Sequence, residues 1–236
     1  VVSAGATANA TVTSAYTAGS GTVNNGTATL VTNGFGVNLS SATSGNGFTV
    51  VNTGGAATLV GSAGNDTLTG GTGDDALTGG DGNDTFNIAA GTDAVTDLGG
   101  SDVLTVSAGA TANATVTVAY MAGAAMINDG TLNLTTNGLS VDLSNASGSG
   151  VFSITNTGAG TTLVGSARND TITGGTGNDT LTGGGGSDTF NVTGGTDTVT
   201  DLGGSEVLVV SAGGTANATV ASAYTAGTGT VNNGTA

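Results

Sequence analysis

Through two stretches of the chain a single apolar residue returns every nine positions. It is set between threonine, asparagine, alanine or valine and preceded by a glycine-rich turn. In the first stretch these residues are Leu68, Leu77, Phe86, Val95 and Leu104; in the second, Ile172, Leu181, Phe190, Val199 and Leu208. A Thr-Leu-Thr alternation is the period-two signature of a strand with one inward side chain. The Gly-Gly between steps ends each strand. Each nonapeptide thus divides into a longer turn and a short strand. Two nonapeptides make one flattened coil, so each turn lies above the turn two steps earlier. Upstream, Leu30, Leu39, Phe48 and Leu59 fall near the same spacing. Residues 3–60 and 107–164 are therefore expected to be further strands of a similar winding, and the fold class is an all-β solenoid.

A longer period contains the short one. Ser3 to Thr13 recurs unchanged at Ser107 to Thr117, and a near copy opens at Ser211. The chain thus holds a first unit at 3–106, a second at 107–210 and part of a third at 211–236. Self-similarity at a fixed period marks an array. Because the repeats run off both ends, a longer natural array is expected.

The nonapeptide also carries acid. Asp66, Asp75, Asp84, Asp93 and Asp102 hold one place in it, matched by Asp170, Asp179, Asp188, Asp197 and Glu206. Glycines around them permit positive φ and expose carbonyls. Stacked turns then offer two carboxylates and several carbonyls, the hard oxygen set that calcium takes in roughly six to eight contacts. Without a cation, stacked carboxylates repel, and a core one side chain deep offsets little chain entropy.

These residues resemble the nonapeptide Gly-Gly-x-Gly-x-Asp-x-(apolar)-x of RTX (repeats-in-toxin) proteins, whose repeats bind calcium. The likeness is close at 61–87 and 165–191 and looser at 88–105 and 192–209. It implies a right-handed parallel β-roll, export from the cell, and folding driven by Ca2+ outside it. It also implies a ligand rule. One turn gives the carbonyls of its second and fourth places and its aspartate; the stacked turn gives those of its first and third places and its aspartate. Carried onto this chain, one ion would join Ser62, Gly64 and Asp66 to Gly79, Asp81 and Asp84. A second would join Gly71, Gly73 and Asp75 to Ile88, Ala90 and Asp93. A third would join Gly80, Gly82 and Asp84 to Asp97, Gly99 and Asp102. In the second unit the sets are Ser166, Arg168, Asp170 with Gly183, Gly185, Asp188; Gly175, Gly177, Asp179 with Val192, Gly194, Asp197; and Gly184, Gly186, Asp188 with Asp201, Gly203, Glu206. Two positions depart from the motif. Arg168 replaces the fourth-place glycine, expected to strain its turn, and Glu206 replaces aspartate.

Composition sharpens this. There are 46 glycines and no proline, cysteine or histidine; 16 acidic residues face one basic residue, for a formal charge of −15. Such a surface repels nucleic acid, whose phosphates need cations. No apolar run approaches the ~20 residues of a membrane helix. Without His, Cys or Lys, the serines and threonines have no base to activate them, and the clustered aspartates are accounted for by metal, so no enzymatic activity is expected. Asp74, Asp81, Asp129 and Asp142 are read as solvated charges. Tyr16, Tyr120 and Tyr224, spaced with the long period, are read as packing groups.

The expectation is a secreted, calcium-binding structural array in a filament, biofilm matrix or surface layer, associating with its own copies. The alternatives are a calcium-dependent adhesin or ligand- or ice-binding module, and a folding or export module appended to a secreted enzyme or toxin. For ice, a flat row of Thr and Asn is required, and the turns carry too few.

Overall fold

The computed structural model describes residues 1–236, the side chain of Ser44 excepted. It is all-β, with no helix among the described residues, and every strand pairing is parallel. The strands stack into a solenoid of about 12 turns.

In the nonapeptide stretch the coil is two-sided. Leu68 pairs with Phe86 and Phe86 with Leu104 on one side; Leu59 pairs with Leu77 and Leu77 with Val95 on the other. Each pairing therefore advances by two nonapeptides, as the short period requires. Leu59, Leu68, Leu77, Phe86, Val95 and Leu104 are fully buried. Their second-unit counterparts Leu163, Ile172, Leu181, Phe190 and Val199 are equally so, and Leu208 is nearly so. The flanking residues of each strand point outward, because side chains alternate across a strand.

Upstream the winding is similar but the coil is longer than two nonapeptides. Ala10 pairs with Leu30 and Leu30 with Val50, and the advance from Val37 to Leu59 is longer again. The added residues form a third side, seen where Val23 pairs with Thr43. Leu39 and Phe48 are buried as expected and Leu30 partly so, but they follow this wider spacing rather than the nonapeptide one.

The coils continue across the join between units. Strand Thr92–Gly100 pairs with Thr111–Met121 through two register shifts, and Val103–Val106 receives Ile127–Asn128. One hydrophobic cluster runs from Val12 to Ala216. Tyr120 is buried at the join, where its hydroxyl donates to the carbonyl of Asp102 (3.4 Å). Tyr16 is exposed at the corresponding place of the first coil.

Candidate metal centre in the stacked turns

The turns place the acidic residues in two files along opposite edges of each nonapeptide block. On one edge the amide of Asp66 donates to Asp84 Oδ1 (2.7 Å) and that of Asp84 to Asp102 Oδ1 (2.8 Å). On the other, the amide of Asp75 donates to Asp93 Oδ1 (2.9 Å). The second unit repeats the first contact on each edge, Asp170 to Asp188 at 2.8 Å and Asp179 to Asp197 at 3.0 Å. Each contact spans one full coil, so the coil length sets the file. All five aspartates of the first block are buried, as are the four aspartates and Glu206 of the second.

Asp84, Asp93, Asp102, Asp188 and Asp197 each spend one oxygen on this ladder, and Asp179 spends one on the amide of Thr161 in the coil below. In four of them, Asp93, Asp179, Asp188 and Asp197, the second oxygen is buried and has no partner among the described residues. A buried acceptor left unpaired is costly. The space facing these oxygens is kept open by glycine. A methyl carbon on Gly70 would lie 2.6 Å from Asp93 Oδ2 and 3.0 Å from Asp75 Oδ2; on Gly174 it would lie 2.7 Å from Asp197 Oδ2 and 3.0 Å from Asp179 Oδ2. Any side chain there would fill the gap between two carboxylates.

Burial pushes Asp84 and Asp188 up to about 7, with neighbouring carboxylates of the same file adding to the rise. Asp93, Asp170 and Asp197 are pushed to about 6 for the same leading reason. Asp66, Asp102, Asp179 and Glu206 are also raised by burial. No cationic side chain relieves them: the one basic residue, Arg168, is exposed and its Nε donates to the carbonyl of Gly148 (2.8 Å). Unpaired buried oxygens, carbonyl-rich turns and a glycine-lined gap fit a hard divalent cation. Each of these two gaps lies between a pair of carboxylates; among the described residues no cluster of three or more His, Cys, Asp or Glu is placed for a metal.

The ligand sets implied by the motif meet the structure unevenly. The turns holding Ser62, Gly64, Asp66 and Gly79, Asp81, Asp84 stack directly, and so do Ser166, Arg168, Asp170 and Gly183, Gly185, Asp188. Ser62 and Ser166 also brace their own aspartates, each donating from its amide (2.6 Å) and hydroxyl (3.0 Å). In the sets pairing Gly71, Gly73, Asp75 with Ile88, Ala90, Asp93, and Gly175, Gly177, Asp179 with Val192, Gly194, Asp197, the aspartates stack. However, the carbonyls of Ile88 and Val192 already accept the amides of Ser107 and Ser211 (2.9 Å each).

The sets built on Gly80, Gly82, Asp84 with Asp97, Gly99, Asp102, and on Gly184, Gly186, Asp188 with Asp201, Gly203, Glu206, differ most. Asp97 and Gly99 lie in strand Thr92–Gly100, and Asp201 and Gly203 in strand Gly195–Gly204. The Asp97 carboxylate accepts the amides of Gly79 and Gly80, and Asp201 those of Gly183 and Gly184. Glu206 turns its carboxylate onto its own turn at Gly203 (2.6 Å).

The expected strain at Arg168 is absent. No non-glycine residue has positive φ, and neither Arg168 nor its counterpart Gly64 does. Positive φ belongs to second-place glycines such as Gly80 (104°) and to fourth-place glycines such as Gly82 (121°) of later turns. The first turn of the second block therefore takes Arg168 at its fourth place without a positive-φ cost.

Sequence reasoning missed Asn52 and Asn156. Both are buried, and the side-chain nitrogens of both donate to the carboxylates that begin one acidic file, Asp75 (2.9 Å) and Asp179 (3.1 Å). The available signal was the degenerate turn Asn52-Thr53-Gly54-Gly55, one step before the clear motif.

A family model described as RTX calcium-binding nonapeptide repeat (4 copies) matches residues 51–86 and 164–199. No curated protein and no solved structure matches the chain.

Proposed function

The chain carries RTX calcium-binding nonapeptide repeats in both of its units, and from that premise we propose that it is a secreted structural rod of an extracellular filament, matrix or surface layer, stiffened by calcium. The observation that carries this reading is the uninterrupted core and strand pairing across the join between units. An array whose units weld end to end lengthens without new contacts. Composition supports a non-catalytic role, since no His, Cys or Lys is present.

Charge supplies the switch. With the two sites per unit whose aspartates stack filled, about four ions in all, the net charge would move from −15 to about −7. Repulsion between copies would then fall. Electron microscopy and light scattering of the full-length protein should show association switched on by calcium and reversed by chelator. A compact monomer at millimolar calcium would overturn the filament reading.

A second reading, a calcium-dependent adhesin or ligand-binding module, is favoured by one surface. On the second unit's outward face Asn113, Asn133, Ser153, Thr171 and Thr189 form one file, and Thr115, Thr135, Thr155, Thr173 and Asn191 another. Rungs of a parallel sheet stand about 4.8 Å apart. The polar row that the turns lack thus lies on the strands, where it could meet a flat, repeating ligand.

A further inference from the structure

The oxygens gathered around Asn52 and Asn156 are the ones that the motif would hand to an ion. In the second unit Asn156 Nδ2 shares its two hydrogens among Ala159 O (2.8 Å), Gly174 O (2.9 Å) and Asp179 Oδ1 (3.1 Å). Counted by the nonapeptide, Ala159 is the fourth place of the lower turn, Gly174 the first place of the upper turn, and Asp179 its aspartate. In the first unit Asn52 Nδ2 donates to Gly55 O (2.7 Å), again a fourth place, and to Asp75 Oδ1 (2.9 Å). The lower turns lack their own carboxylate, because Ala57 and Thr161 stand in the acidic place. Their amides still donate to Asp75 Oδ1 (2.7 Å) and Asp179 Oδ1 (2.8 Å), as the amides of true acidic places do one rung higher.

We infer that the Asn52 and Asn156 carboxamides are permanent stand-ins for calcium that end the metal-dependent stretch of each unit, an inference that rests on the calcium reading above. A carboxamide brings two donors and no net charge. It can therefore hold carbonyl and carboxylate oxygens together where only one carboxylate needs compensation. Its own Oδ1 is also used: Asn52 accepts the amides of Gly34 (2.8 Å) and Gly54 (3.1 Å), and Asn156 those of Gly138 (2.8 Å) and Gly158 (3.0 Å). Each side chain thus ties three successive coils.

The coils upstream follow the same plan. Buried Asn24 and Asn128 donate across the stack to Gly47 O (2.5 Å) and Val151 O (2.9 Å). Thr32 and Thr136 close their turns with hydroxyls on Phe35 O and Leu139 O. Every unit therefore alternates a section held by amides and hydroxyls with a section held by ions. The first stays wound in either condition, and the second is weakly held until calcium binds.

The test converts the stand-in into a site. Asn52→Gly with Ala57→Asp, and Asn156→Gly with Thr161→Asp, restore the first-place glycine and the acidic carboxylate. Native mass spectrometry of this fourfold variant at saturating calcium should count two ions more than the unaltered chain, and its thermal midpoint in chelator should fall. The companion Asn52→Ala/Asn156→Ala should gain no ion and should lose amide protection at residues 52–57 and 156–161 with calcium present. An unchanged ion count in a fourfold variant that shows the β spectrum in calcium would overturn the inference. So would full protection of those turns in the alanine variant. If the unaltered chain binds no calcium, the parent reading fails instead, and that result is separable because it needs no variant.

Discussion

Asp93 gives one oxygen to the Asp75 amide and leaves the other buried and unpaired, so this single side chain weighs metal binding against metal-free stability. Replacing it with asparagine removes the charge at constant volume. Asp93→Asn should lose one calcium ion while raising metal-free stability by about 1 kcal/mol, because an uncompensated buried charge disappears; calorimetric titration and melting in chelator read the two effects. The raised carboxyls give a pH dependence with a definite sign. Against an ordinary value of 3.8, Asp84 and Asp188 sit at about 7 and Asp93, Asp170 and Asp197 at about 6. Between those limits the folded chain binds more protons than the unfolded one. Metal-free stability is therefore fully present below the ordinary value and is lost as pH rises through 6 to 7. Urea titrations in chelator from pH 4 to pH 8 should show that decline, and a rise across the range would contradict it. Arg168 has no strain to relieve, so Arg168→Gly should lower metal-free stability by about 0.5–1 kcal/mol through added freedom in the unfolded chain, while loss of its charge favours calcium. Melting and calcium titration of the same variant separate the two.

A single coil is one inward side chain deep on each face, and its worth comes from the coils above and below. Leu77 packs between Leu59 and Val95 in register. Leu77→Ala should cost about 2–5 kcal/mol, measured by denaturant titration in saturating calcium. Because a solenoid interacts only with neighbouring coils, exchange protection should fall around residues 58–96 and hold around Ile154 and Ile172. The coil was legible in the sequence wherever one period ruled: the inward Leu68 to Leu104 series and the two acidic files follow from the nonapeptide spacing. What was not legible has a physical cause. The wider upstream coils add a third side whose residues, Val23 and Thr43 among them, carry no period of their own. Asn52 acts from the first place of its turn rather than the acidic place, so no motif marks it. The strand Thr92–Gly100 runs through what the motif reads as a turn, because the wider coil at Thr111–Met121 recruits it into the join.

Across the full solenoid, the two kinds of coil share one core but differ in what neutralises their turns. The upstream coils are closed by Asn24, Asn52, Thr32 and their second-unit equivalents; the nonapeptide coils leave buried carboxylate oxygens open. Carboxylates packed this densely without cations repel and resist burial, and on the proposed reading calcium completes the nonapeptide coils. Hydrogen exchange of the intact chain, resolved along the sequence by mass spectrometry with and without calcium, decides the matter. Peptides from 61–106 and 165–210 should exchange rapidly in chelator and become protected when calcium is added, while peptides from 7–52 and 111–156 stay protected in both. Equal protection of the nonapeptide blocks in chelator and in calcium would contradict a calcium-completed solenoid.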